Sequence, residues 1–396
     1  MVHLASALLV AGAAFAVAAP ASEIFERQEC AVSDSYPTVN EAKLPDPFTN
    51  AAGDKITTKA DFECRRAEIS KIMQQYELGE YPPAPDSVEA TMSGTGITVK
   101  VTVGSKSISF SAAIRKPSGS GPFPAIIGIG GASIPIPNTV ASITFNNDEF
   151  GAQQGGGSRG RGKFYDLFGS GHTAGSLTAW AWGVDRLIDG LEQVGEASGI
   201  DTKRLGVTGC SRNGKGAFVV GAFVDRIALT IPQESGAGGA ACWRISDQQK
   251  SSGANIQTAQ QIIGENPWFS KNFDPYVRTI PTIPQDHHFL SAMIVPRGLV
   301  AFENNIDWLG PVSTTGCMKA GRAIYKAFGV PTNMGFSLVG GHNHCQFPSN
   351  QNAELTSYIN YFLLNGDTAP PEVERSDVNA DLASWAPWAA SAPTLS

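Results

Sequence analysis

The chain has little that would carry it to nucleic acid or into a membrane. It holds 29 Lys and Arg against 36 Asp and Glu, a formal net charge of −7, and no run of basic residues. Neither a phosphate backbone nor an anionic lipid surface is therefore a fitting partner. The apolar run from Leu4 to Val17 is too short to span a bilayer, and no later segment reaches the length of a membrane helix. Asn-x-Ser/Thr does not occur, so no asparagine is a glycan acceptor. Cysteine is sparse, at six residues, none in a C-x-x-C pair or at structural-zinc spacing, which argues against a metal site.

What is present points outward from the cell. The first apolar run closes on the small-residue pattern Ala16-Val17-Ala18, which reads as a signal peptide over residues 1–18 even though the residues before it carry only His3 and the terminal amine. An extracellular chain with Cys30, Cys64, Cys210, Cys242, Cys317 and Cys345 is expected to hold three disulfides, in a pairing that sequence alone does not choose. A hydrophobic fraction of 42% with 16% charge suits a globular core, and 43 Gly with 25 Pro imply many turns and long loops. Residues 19–396 are expected to form a single domain, with an irregular N-terminal segment to about 82 and a Pro/Ala/Ser-rich tail from about 367. The tail carries Trp385 and Trp388, and nothing resembles an attached carbohydrate-binding module.

Periodicity supplies a coarse layout. Phe62, Ile69, Ile72 and Met73 recur at helical spacing within 59–76, and alternation over 87–115 predicts an antiparallel hairpin. The nearly continuous apolar run Phe123 to Ile129 predicts a strand buried on both faces of a largely parallel sheet, followed by Gly130-Gly131. Such a glycine pair either lends N–H groups to an oxyanion hole or is simply a turn. Residues 135–175 read as a glycine-rich rim. Helix 176–194, strand 205–208, a serine and a second helix then follow in the order of a βαβ crossover. Further strands are expected at 227–232, 297–302 and 334–339, with helices at 316–328 and 353–364.

The serine in that crossover is Ser211, within Gly209-Cys210-Ser211-Arg212-Asn213-Gly214-Lys215. A strand that turns abruptly at a serine into a helix is the shape of a nucleophile elbow, because the tight turn pushes the hydroxyl out of the sheet edge. The second glycine sits one position late, and Arg212 and Lys215 load the first helical turn with positive charge against the helix dipole. Beyond the strand ends lie Glu234, Glu303, His342 and His344, in the order serine, acid, histidine of α/β hydrolases. Position does not separate the two histidines. A bridge between Cys210 and Cys345 would fasten His344 to the elbow, which favours His344, since a displacement of about 1 Å can cost roughly 100-fold in rate. For the acid, topology alone favours Glu303, and His172, His287 and His288 read as surface or packing histidines.

Four segments together carry a resemblance. They are Gly209 to Lys215, Pro232-Gln233-Glu234-Ser235-Gly236, Asp307-Trp308-Leu309-Gly310-Pro311 and Gly341-His342-Asn343-His344-Cys345. In these the chain resembles the fungal glucuronoyl esterases of carbohydrate esterase family fifteen. The resemblance implies a three-layer αβα hydrolase fold and a triad of Ser211, Glu234 and His344, which replaces the topological preference for Glu303. It further implies oxyanion stabilisation by Arg212, sugar contacts from Lys215, Gln257, Glu265 and Trp308, and disulfides Cys30–Cys64, Cys210–Cys345 and Cys242–Cys317. The implied reaction cleaves the ester between 4-O-methyl-D-glucuronic acid of glucuronoxylan and lignin alcohols, by a secreted, cofactor-free and metal-free monomer. Two alternatives remain at this stage: another carbohydrate esterase, acting on acetyl xylan or feruloyl esters, and a non-catalytic polysaccharide-binding relative.

Overall fold

A computed structural model of the chain describes Cys30 and residues 32–396; the expected signal peptide lies outside the described residues. Helix α1 (Lys59–Met73) starts where the Thr58 hydroxyl accepts from the Asp61 N–H, and it buries Phe62, Ile69, Ile72 and Met73. The chain then changes pitch into a π-turn over Gln74–Leu78, so the expected helix ends early. Next come β1 (Ser87–Ser93), β2 (Gly96–Val103) and β3 (Lys106–Arg115), three antiparallel strands where one hairpin was expected. Ile97, Val99 and Val101 of β2 and Ile108, Phe110, Ala112 and Ile114 of β3 alternate inward, as period-two geometry requires.

β4 (Phe123–Ile129) is buried almost throughout, as a strand between two helical layers must be. The expected rim at 135–175 contains a strand after all: β5 (Ala141–Phe145) inserts between β3 and β4. The chain continues through α2 (Lys163–Phe168), α3 (Ser176–Val194), β6 (Ile200–Cys210), α4 (Arg212–Phe223) and β7 (Ile227–Gln233). Then follow α5 (Trp243–Ser251), α6 (Ala259–Glu265), α7 (His288–Ile294) and β8 (Gly298–Glu303). Helix α8 (Pro311–Ala327) begins five residues before the expected Gly316, because Pro311 is suited to a first helical turn that lacks a hydrogen-bonding N–H. β9 (Met334–Leu338), α9 (Asn352–Phe362) and β10 (Glu374–Ser376) complete the sheet.

The sheet order is β1-β2-β3-β5-β4-β6-β7-β8-β9-β10. From β5 through β10 neighbouring strands run parallel. One face packs against α1, α3, α4, α7 and α8 through a large core that includes Trp180, Trp182, Phe218 and Tyr325. On the other face, Leu355, Tyr358 and Ile359 of α9 cover Ile126, Leu229, Ile231 and Val300. These are the three layers of an α/β-hydrolase fold. The tail docks on the body: Trp388 Nε1 donates to Leu44 O at 2.9 Å, and the Lys59 N–H donates to Ser396 O at 3.1 Å. The parallel strands deliver their carboxyl ends, and the loops that follow them, to one edge of the sheet. No described helix is long and apolar enough to cross a membrane.

Candidate active site

The elbow forms as its sequence predicts. Ser211 sits at φ 59°, ψ −126° between β6 and α4, a conformation that costs a non-glycine residue about 1–3 kcal/mol and persists only where its surroundings enforce it. Its N–H donates to Gln233 O at 2.9 Å, tying the turn to the end of β7. The late glycine also has a reason. A Cβ on Gly214 would stand 2.5 Å from Gln233 O, and one on Gly209 would stand 2.4 Å from Asn213 O; helix and strand approach too closely for side chains at either position. Arg212, the first residue of the helix, is exposed, where the opening N–H groups of a helix have no partner within it.

The loop after β9 brings the histidine. His344 Nδ1 lies 2.7 Å from Glu234 Oε2, and the same oxygen accepts the Cys345 N–H at 2.9 Å. Glu234 is 1% exposed and His344 is 29% exposed at the side chain. Trp308 and the imidazole meet edge to face, 4.9 Å between ring centroids. A Cys210–Cys345 disulfide runs beside the ring, with both sulfurs and one imidazole nitrogen within 4.8 Å of one another. Cys30–Cys64 and Cys242–Cys317 are also bonded, so no described cysteine is free to ligate a metal. His342 also borders the acid, with Nδ1 3.6 Å from Glu234 Oε1 and 3.2 Å from Asn304 Nδ2, but its side chain is buried and its Nε2 is taken by Val339 O at 2.8 Å.

Glu303, which topology alone preferred as the acid, faces elsewhere. Its Oε1 accepts from the Ser235 N–H at 2.9 Å and from the Ser235 hydroxyl at 2.7 Å, while Oε2 accepts from the Gly236 N–H at 3.3 Å. Burial pushes this carboxyl up to about 7 against those hydrogen bonds. Lys215 is 4% exposed and donates to Ser235 O; burial brings its ammonium down to about 8. Its charge also sits 5.9 Å from the centroid of Trp268, whose ring carries the Arg212 guanidinium at 5.7 Å as well. Gln257 Nε2 donates to Glu265 Oε1 at 2.7 Å, and the Gln257 N–H donates to Trp308 O at 3.2 Å. Three of the four expected sugar contacts, Gln257, Glu265 and Trp308, are thus linked by hydrogen bonds, and Lys215 feels the charge of Glu265.

Sequence reasoning passed over Trp268, the shared platform of the two cations. Its indole N–H is anchored at 2.8 Å to Gln153 of the glycine-rich rim. It also gave Gly130-Gly131 a possible role that the hydrogen bonds do not leave open: the Gly130 N–H donates to Phe145 O and the Gly131 N–H to Gly128 O. The pair is a turn.

A serine at a strand-to-helix elbow, a histidine–carboxylate pair delivered from the ends of β9 and β7, and a mainly parallel three-layer sheet define the class: an α/β-hydrolase-fold serine esterase. The particular family follows from comparison with known proteins. A sequence profile described as glucuronyl esterase, fungi, matches residues 99–329. A 4-O-methyl-glucuronoyl methylesterase of Thermothelomyces thermophilus is 80% identical over the full length of both chains, and that of Neurospora crassa is 73% identical over 98% of each. The crystal structure of a recombinant glucuronoyl esterase from Sporotrichum thermophile superposes with a TM-score of 0.92 at 80% identity, covering 93% of this chain and all of that one. The glucuronoyl esterase catalytic domain of Hypocrea jecorina gives a TM-score of 0.88 at 54% identity, over 92% of this chain and all of that one. The chain belongs to the fungal glucuronoyl esterase family and is a carboxylic ester hydrolase.

Proposed function

We propose that Ser211, His344 and Glu234 are the catalytic triad of an esterase that cleaves 4-O-methyl-D-glucuronoyl esters, the alcohol in glucuronoxylan being supplied by lignin. With Nδ1 held on Glu234, the His344 imidazole has Nε2 left to take the Ser211 proton. The serine oxygen then attacks the uronoyl carbonyl carbon. Negative charge develops on the carbonyl oxygen, where the Arg212 guanidinium and the N–H groups opening α4 stabilise it; one such donor is typically worth about 100- to 1000-fold. The alcohol departs with the proton from His344, and water, deprotonated by His344, hydrolyses the acyl-enzyme. Trp308, Gln257 and Glu265 supply a flat apolar surface and directed polar groups for the sugar ring, with Lys215 completing the set.

The observation that carries this reading is the 2.7 Å His344–Glu234 pair on a loop whose next residue is disulfide-bonded to the residue before Ser211. The substrate class is supported by a relative from Sporotrichum thermophile, 80% identical, solved in complex with methyl 4-O-methyl-β-D-glucopyranuronate. Residues 1–18 are a signal peptide in this reading, and residues 19–396 are one secreted, monomeric catalytic unit. The test compares hydrolysis of methyl 4-O-methyl-glucuronate, acetylated xylan and methyl ferulate by the wild type and Ser211→Ala. Activity on the glucuronate ester that Ser211→Ala abolishes is expected; turnover of the other two substrates alone would refute the assignment.

A further inference from the structure

Glu234 holds His344 from an unfavourable backbone. It is a non-glycine residue at φ 42°, and a strand does not end in the left-handed region unless something holds it there. Upstream, its N–H is paired to Phe302 O at 2.7 Å. Downstream, the successive N–H groups of Ser235 and Gly236 curl around the Glu303 carboxylate, with the Ser235 hydroxyl as a third donor. Consecutive backbone N–H groups enclosing an anion form a concavity that fixes the conformation of the residues making it. Glu303 is 1% exposed, so these hydrogen bonds lie in a water-poor setting, where they are strongest. The Ser235 hydroxyl in turn accepts from the Ala240 N–H at 2.9 Å, and Lys215 holds the Ser235 carbonyl from the other side.

We infer that Glu303 is a positioning residue of this reaction: its carboxylate locks the Ser235–Gly236 turn and thereby sets the angle at which Glu234 presents its oxygen to His344. The inference rests on the triad proposed above. It gives the carboxylate on the strand end that commonly bears the acid an indirect role, one residue removed from the acid itself. Glu303→Gln keeps the shape and one acceptor oxygen but turns an amide N–H toward Gly236 N–H. The left-handed turn at Glu234 then loses a bond and gains a clash of donors.

The experiment measures kcat and KM on methyl 4-O-methyl-glucuronate for the wild type, Glu303→Gln, Ser235→Ala and Glu234→Ala, each well below its melting temperature. The downfield NMR resonance of the His344 Nδ1 proton is recorded for each. Glu303→Gln is expected to lower kcat roughly tenfold, since small misalignments of catalytic groups have effects of this order. KM should stay within about twofold, and the His344 proton should move or broaden. Ser235→Ala, which removes one donor and leaves Glu303 in place, is expected to lower kcat a few-fold with the same spectral change; it carries the test if Glu303→Gln does not fold. A melting temperature that drops while kcat and the His344 proton stay at their wild-type values would overturn the inference, because the carboxylate would then be serving stability alone. Loss of activity in Glu234→Ala with wild-type behaviour in Glu303→Gln and Ser235→Ala would refute the positioning role and leave the triad standing. Wild-type kcat in Glu234→Ala would remove the triad and this inference together.

Discussion

Two histidine–carboxylate pairs of nearly equal length lie among the described residues, in opposite surroundings. His344 meets Glu234 at 2.7 Å, and His287 meets Glu77 at 2.6 Å. In the first the imidazole is 29% exposed over a buried carboxylate; in the second both side chains are 0% exposed. The buried ring has no nitrogen left over: Nε2 faces Glu77 and Nδ1 lies 2.7 Å from Gly239 O. With an acceptor oxygen against each ring nitrogen, His287 is tied on both sides within the core, beside Trp243, whose indole N–H also bonds Glu77 at 3.0 Å. Electrostatic attraction from Glu77 raises its proton affinity although burial opposes this. A histidine can catalyse when its partner takes one nitrogen and solvent or substrate can reach the other. Close both nitrogens and the same pair becomes a structural tie.

Substitutions should pull the two pairs apart. His344→Ala is expected to lower kcat on a glucuronate ester by roughly 10⁴-fold, as loss of a triad member does elsewhere, with a melting temperature within a few degrees of the wild type. A comparable loss of fold would instead mean that the exposed pair is also structural. His287→Ala is expected to do the reverse. Stranding the buried Glu77 charge should cost about 3–5 kcal/mol in denaturant unfolding, with kcat of the folded fraction changed only a few-fold.

The smallest effect concerns pH. His287 has a raised folded-state pKa, so its contribution is complete below about 6.5, the unfolded value, and is lost as pH rises through the folded one. His288, buried with Nε2 2.8 Å from Pro45 O, is pushed down to about 4 by burial. The folded state resists its protonation, so stability is lost as pH falls from about 6.5 toward 4. Buried Glu303 and Asp247, each raised to about 7, add a slope of the opposite sign to that of His288 below pH 7, so the comparison is made as a difference from the wild type: His287→Gln should flatten the slope above about pH 6.5 and leave the slope below it unchanged. An unchanged alkaline slope in that variant would assign it to other groups.

The sequence showed the elbow clearly because strand, turn and helix are contiguous there, and the misplaced Gly214 and the charges of Arg212 and Lys215 were visible without a fold. The acid was not legible from the residues themselves. Glu234 and Glu303 stand on adjacent strand ends, and what separates them is the left-handed turn at Glu234 and the hydrogen bonds that occupy Glu303, neither of which leaves a periodic trace. β5 escaped because five residues with three inward side chains cannot outweigh the turns around them. The burial of His287 was out of reach for a simpler reason: Glu77, the partner that justifies it, is 210 positions away. Trp268 carries no local signal in the sequence, because what marks it is the placing of Arg212 and Lys215 over its ring.

The disulfides have a consequence for resistance to proteolysis. Between Cys210 and Cys345 the chain exposes Ser251, Ser252 and Gly253, a turn open to cleavage. Two covalent bridges, Cys210–Cys345 and Cys242–Cys317, span that turn. A molecule cut there remains one covalent body, with the serine on one fragment and the histidine on the other still stapled side by side. In such an enzyme a broken backbone is not the same event as a lost active site.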